Sequence, residues 1–87
     1  MEEIEKELNV IFAEHKQKYI NVFDQSEGLV AKQNNAMNFT PIFESLTDQL
    51  ISKSNEFLEN DNYSKTEVEN LIKAKINEFN PLLISPF

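Results

Sequence analysis

The chain contains no cysteine, no arginine and only one glycine among its 87 residues. The absence of cysteine excludes disulfides and Cys-ligated zinc as supports for a small fold. Arginine is the side chain that reads phosphate and guanine through two parallel hydrogen bonds, and the formal net charge is −7. These two features argue against direct binding of DNA or RNA. The single glycine, Gly28, excludes a glycine-rich phosphate-binding loop.

Long apolar runs are also missing. No stretch approaches the roughly 20 apolar residues that a membrane-spanning helix needs. The first residues, Met-Glu-Glu-Ile-Glu, lack the basic start and apolar core of a secretory signal. We therefore expect a cytoplasmic protein without a membrane-bound segment.

The residues that are present favour helices packed around a core. Ile, Leu, Val and Phe account for 27 of 87 residues, well above the roughly 20% below which chains stay disordered. Few glycines and prolines, and little alternation of polar and apolar residues, favour helices over strands. The expected fold is an all-α, small antiparallel bundle of three main helices in one domain spanning residues 1–87. A second copy of the chain is expected to complete it.

The first helix is predicted over about residues 2–26. Apolar or aromatic residues recur there at spacings of three and four: Ile4, Leu8, Ile11, Phe12, His15, Tyr19, Val22 and Phe23. This face is wide, and Gly28 is a candidate for the C-terminal end of the first helix. Residues 29–38 either continue the same helix or form a loop with a short helical piece.

Two further helices are predicted over residues 41–59 and 64–79. The second is expected to open at Thr40-Pro41, since threonine is a good N-cap and proline suits the first helical position. The third opens with Ser64 and Glu67, which have the spacing of a capping box, and Asn80-Pro81 ends it. The opening, residues 63–70, resembles helix openings that recur in bacteriophage tail-fibre proteins; capping chemistry alone produces such a sequence.

Catalytic and metal-binding motifs are not found. His15 is the only histidine, and no nucleophile or orienting partner is evident in the sequence. We interpret it as a residue on the inner face of the first helix. Asn60, Asn62 and Ser64 have the spacing that begins an EF-hand, but Lys65 stands where glycine is required. We therefore predict no enzyme activity, no cofactor and no metal.

The C-terminal tail, residues 80–87, is unusually apolar for a chain end. Either it folds back over its own bundle, which we favour, or it docks in a partner or a second copy. The wide face of the first helix predicts a homodimer, because its apolar surface exceeds what a soluble monomer usually exposes. The competing explanation is that residues 29–39 or the C-terminal tail cover this face within one chain. The candidates for partner binding or self-association are Phe12, Tyr19, Phe23, Leu82, Leu83, Ile84 and Phe87.

The predicted function is therefore binding of another protein, as a small adaptor, inhibitor or chaperone-like subunit that acts through apolar helix faces. The alternative is an acidic inhibitor that imitates DNA, of the kind made by phages and mobile elements. Mimicry requires a contiguous acidic face with the lysines segregated elsewhere. In this sequence the lysines are interspersed among the carboxylates.

Overall fold

The computed structural model describes residues 2–59 and 63–87. In this part of the chain, α1 (Glu2–Val22), α2 (Leu29–Leu58) and α3 (Lys65–Phe79) are followed by a short 3-10 helix (Asn80–Leu83). The predicted three-helix, all-α fold is confirmed. None of the described helices is long and apolar enough to cross a membrane.

α1 ends four residues earlier than predicted, at Val22 rather than residue 26. Gly28 does not stop α1. It is the N-cap of α2 and has a φ of 112°, a left-handed value that favours glycine. Its carbonyl oxygen accepts the first hydrogen bond of α2, from the Lys32 amide at 3.2 Å. The only glycine thus lies where the chain turns into its longest helix.

The prediction that the second helix opens at Thr40-Pro41 is wrong, because α2 begins at Leu29 and has 30 residues. The Thr40 side chain caps no helix end; its hydroxyl donates to the Ala36 carbonyl oxygen one turn earlier, at 3.1 Å. Pro41 is exposed inside the helix. Residues 29–38 are therefore neither a loop nor a continuation of α1. They form the first turns of α2, held to the bundle by three residues at helical spacing that are all buried: Ala31, Asn35 and Phe39.

α3 begins one residue after the predicted start, with Ser64 at its N-cap. The predicted capping box is not formed, since the Ser64 side chain makes no capping hydrogen bond. The helix start is held instead by apolar contacts. Tyr63 packs edge-to-face on Phe57 at 5.5 Å between ring centroids, and Val68 is fully buried. Packing with α2 therefore positions the start of α3.

The helices run up, down and up, so that α1 and α3 are each antiparallel to α2. Contacts between α1 and α2 follow one register: Tyr19 lies against Phe39, and His15 against Ser45. Phe79, at the end of α3, stands edge-to-face on Phe12 of α1 and stacks on Phe39 of α2. This aromatic cluster joins all three helices above an aliphatic core that includes Ile4, Leu8, Leu46, Leu50 and Val68.

The C-terminal tail folds back over the bundle, as favoured from the sequence. Leu82 and Leu83 pack against the core, and Pro86 is buried. The tail continues along α1 beyond the end of α3, where the Tyr19 hydroxyl donates a hydrogen bond to the Leu83 carbonyl oxygen at 2.6 Å. The result is a rod of 49 × 16 × 15 Å. One of its ends is formed by the α1–α2 loop, the start of α2 and the tail.

Candidate functional site

The α1–α2 loop is held in place by a buried side chain from α2. Asn35 has only 7% of its surface exposed. Its amide oxygen accepts a hydrogen bond from the Asp24 backbone amide at 2.7 Å, and its amide nitrogen donates to the Asp24 carbonyl oxygen at 3.0 Å. One side chain therefore pairs both backbone groups of a loop residue, much as a neighbouring strand would. This arrangement fixes the loop against α2.

Beside this loop lies an open groove of about 820 Å³, which we call the loop-end groove. One wall is the loop itself, residues 23–28. A second wall comes from α2, and the C-terminal tail closes the third side; the side chains involved are Lys32, Asn35 and Ala36 from α2 and Leu83, Ile84 and Phe87 from the tail. The groove therefore depends on three segments that are far apart in sequence.

Large apolar side chains remain exposed on and around this groove. Ile84 and Phe87, which line it, have 84% and 71% of their surface exposed. Leu29 and Val30, in the first turn of α2 directly after Gly28, are each 70% exposed. Ile84 and Phe87 thus give the groove an exposed apolar wall, and Leu29 and Val30 follow its lining residue Gly28 directly in the chain. Contiguous exposed apolar surface is typical of binding sites.

The polar part of the groove is acidic on the loop side. Asp24 and Glu27 line it, together with the single cation Lys32. The Asp24 carboxylate accepts a hydrogen bond from the Ser26 backbone amide at 2.8 Å. Hydrogen bonds from Ser26, the backbone amide first, hold the pKa of the Asp24 carboxyl below its ordinary value, because they stabilise the charged form. Asp24 is therefore ionised at neutral pH.

The sequence-predicted partner-binding residues separate into two groups. Phe12, Tyr19 and Phe23 lie against the core: Tyr19 is fully buried, and Phe12 and Phe23 are partly buried beside it. Leu82 and Leu83 of the tail are likewise half-buried. Only Ile84 and Phe87 are open to a partner, and Phe87 also contacts Phe23 edge-to-face at 5.8 Å between ring centroids.

This burial removes the reason for expecting a homodimer through the first helix. The start of α2 covers the wide face of α1 at Phe39, and the tail covers it at Leu83 and Phe87. The wide face of α1 is therefore covered within one chain, which was the competing explanation to the homodimer. The homodimer predicted from the sequence is tested by the mass of the protein in solution.

His15 has partners that the sequence did not reveal. Its Nδ1 lies 2.7 Å from the Ile11 carbonyl oxygen, which can only accept, so Nδ1 carries the proton. Its Nε2 lies 3.1 Å from the Ser45 hydroxyl oxygen, which also accepts a hydrogen bond from the Gln49 amide nitrogen at 3.1 Å. The pair resembles a serine–histidine dyad, but His15 has no exposed surface that a substrate reaches. We interpret it as a polar bridge that sets the register of α1 on α2.

Metal-ligating side chains do not converge in the described ranges. Among residues 2–59 and 63–87, no three His, Cys, Asp or Glu side chains come together as a metal ion requires. Asn60 and Asn62, which begin the EF-hand-like spacing, lie outside the described residues.

Three features of the site were missed in the sequence. Asn35 was not recognised because its partner, Asp24, belongs to another element. Leu29 and Val30 are apolar, but helical spacing alone does not tell an exposed side chain from a buried one. The useful signal was the repeat Ala31, Asn35, Phe39, which places residues 29–38 on a packed helix and turns Leu29 and Val30 away from the core.

No protein-family model matches the chain, and neither a curated protein nor a solved structure is significantly similar to it.

Proposed function

We propose that this chain is a non-enzymatic protein–protein interaction module, a small adaptor, inhibitor or chaperone-like subunit, that binds another protein through the loop-end groove. The observation that carries the proposal is the exposure of Ile84 and Phe87 on a groove whose surroundings also expose Leu29 and Val30. Burial of a large apolar side chain contributes roughly 1.5–3 kcal/mol. A few such contacts supply the centre of an interface.

The geometry of the loop supports this proposal. Asn35 holds the loop against α2 through two hydrogen bonds, and Gly28 supplies the positive φ at the end of the loop. The loop backbone is therefore already ordered in the free protein. An ordered surface loses less conformational entropy on binding, and more of the contact energy then appears as affinity. Of the partner-binding residues that the sequence predicted, the proposed surface keeps Ile84 and Phe87. It leaves out Phe12, Tyr19 and Phe23 of α1, which lie against the core.

The DNA-mimicking inhibitor finds less support. Lys53 lies 2.9 Å from the Glu56 carboxylate, and Lys75 lies 3.7 Å from the Glu78 carboxylate. These lysines stand among the carboxylates of α2 and α3 and break up the acidic surface. A mimic needs its negative charges in an uninterrupted array.

A capture experiment with matched variants tests the proposed function. The chain is immobilised as wild type, as Ile84→Ser/Phe87→Ser, and as the control Val10→Ser/Ile51→Ser. Val10 and Ile51 are exposed apolar residues on α1 and α2, and neither lines the groove. The wild type and the control should retain the same protein from the native extract, while the groove variant loses it. Equal retention by all three, with unchanged helicity, would place binding elsewhere and overturn the proposal.

A further inference from the structure

The walls of the loop-end groove differ in chemistry. The tail side is lined by Ile84 and Phe87, and the loop side is lined by the acidic residues Asp24 and Glu27. A ligand that fills this groove must bring apolar surface to one wall and a donor or cation to the other.

No ion pair neutralises this acidic wall within the described residues. The pairs present join Lys53 to Glu56 and Lys75 to Glu78, and none of these four residues lines the groove. Lys32 lines the groove but lies in no ion pair with Asp24 or Glu27. The groove is therefore lined by two acidic residues and one lysine, on a chain with a formal net charge of −7.

The charges also weigh against a second copy as the occupant. Two copies that met at this groove would bring like acidic walls together, each on a chain of net charge −7. Like-charge juxtaposition opposes association, whereas a basic partner is attracted and steered toward the surface.

We propose that the occupant of the loop-end groove is a segment of another protein in which large apolar side chains alternate with lysine or arginine. The apolar side chains pack on Ile84 and Phe87, and a cation pairs with Asp24 and Glu27. The carboxylate of Asp24 is already oriented by the Ser26 amide, so the pair forms without first ordering the loop. This inference rests on the proposed function of the same groove.

Two synthetic peptides of one length test it, with leucine at the same positions in both. Lysine fills the positions between in one peptide, and glutamate fills them in the other. Binding to the full chain is followed by fluorescence anisotropy at low and at high salt. The lysine peptide should bind at least about tenfold more tightly, a difference of about 1.4 kcal/mol, and salt should weaken its binding.

Variants of the chain locate the binding. Asp24→Asn/Glu27→Gln should remove most of the advantage of the lysine peptide. The control Glu14→Gln/Glu69→Gln makes the same change in net charge at exposed positions that do not line the groove and should keep the advantage. Asn at position 24 still accepts the Ser26 amide hydrogen, so the loop is retained.

The remaining outcomes separate this inference from the proposed function. If both peptides bind equally and Ile84→Ser/Phe87→Ser abolishes both, the basic partner is wrong and the groove function stands. If Ile84→Ser/Phe87→Ser binds the lysine peptide as tightly as the wild type does, both the basic partner and the groove function are wrong. The proposed basic partner is also wrong if the wild type binds neither peptide. It is wrong as well if the wild type is a dimer that the substitution Phe87→Ser dissociates.

Discussion

The Tyr19 hydroxyl donates a hydrogen bond to the Leu83 carbonyl oxygen, 64 positions later in the chain, at 2.6 Å. Tyr19 is fully buried, and its ring packs edge-to-face on both Phe23 and Phe39. The tail that forms one wall of the loop-end groove is therefore fastened to α1 through a titratable group. The stability of this wall depends on the protonation of Tyr19.

Alkaline pH should loosen the tail. Burial raises the pKa of Tyr19 above the ordinary value of 10.0, since it disfavours the charged phenolate. The folded state thus holds the proton more tightly than the unfolded state does. The stability that this supplies is present below about pH 10 and is lost as pH rises through the raised pKa.

Urea unfolding at pH 9 and at pH 11 measures this effect in the wild type and in Tyr19→Phe. The variant lacks the hydroxyl, so its free energy of unfolding should fall less between the two pH values. Lysine titration affects both proteins alike and provides the baseline. An equal fall in the two proteins would show that Tyr19 does not couple the tail to pH.

Replacement of Asn35 should destabilise the fold. Asn35→Ala leaves the backbone amide and carbonyl of Asp24 unpaired, which costs about 1–3 kcal/mol. For a chain of this size each kcal/mol lowers Tm by roughly 4–8 °C. The control is the neighbouring Asn34→Ala, an exposed position where alanine should leave Tm unchanged or slightly raised. Equal Tm values for the two variants in thermal unfolding would contradict the role assigned to Asn35.

Replacement of Ser54 should have the opposite effect. Ser54 is 1% exposed, and its hydroxyl has no hydrogen-bond partner among the described residues. Ser54→Ala removes this unpaired group and improves helix propensity, so the free energy of unfolding should rise by about 0.5–2 kcal/mol. Ser52→Ala, exposed on the same helix, gains the propensity alone and should rise less. A loss of stability in Ser54→Ala would mean that the hydroxyl has a partner in solution.

The helices were predictable from the sequence because their signal is local. Repeats such as Ile4, Leu8 and Ile11 define a buried face without any knowledge of the neighbouring helix. The Thr40-Pro41 pair is an equally local signal, but the helix start that it predicts is wrong. Burial of Phe39 against Tyr19 and Phe79 keeps the chain helical through that point, and such packing is not visible in a short window.

The candidate site was only partly predictable, for a related reason. The apolar composition of the tail is enough to predict Ile84 and Phe87 as candidate binding residues. The loop-end groove itself requires that the tail, the loop and the start of α2 meet, and that depends on contacts such as Tyr19 with Leu83 and Asn35 with Asp24. These pairs join residues from different elements, and no spacing rule indicates them.

Light scattering across a range of concentrations should give a constant mass near 10.1 kDa. The wide face of α1 is covered within one chain, and the net charge of −7 opposes association of copies. This result would contradict the homodimer that the sequence predicted. A mass that rises toward twice that value would restore the homodimer, and loss of the rise in Ile84→Ser/Phe87→Ser would place its contact at the groove.

Photo-crosslinking in cells tests the central claim most directly, since it reports which surface another protein touches. Two variants are made, in which a benzophenone amino acid replaces either Phe87 or Ile51. Both positions are exposed, but only Phe87 lies in the loop-end groove. Irradiation should join the chain with the probe at position 87 to a discrete second protein, and the chain with the probe at position 51 should give no such product. Adducts of equal yield at both positions, or adducts at position 51 alone, would contradict the assignment of the groove as the binding surface.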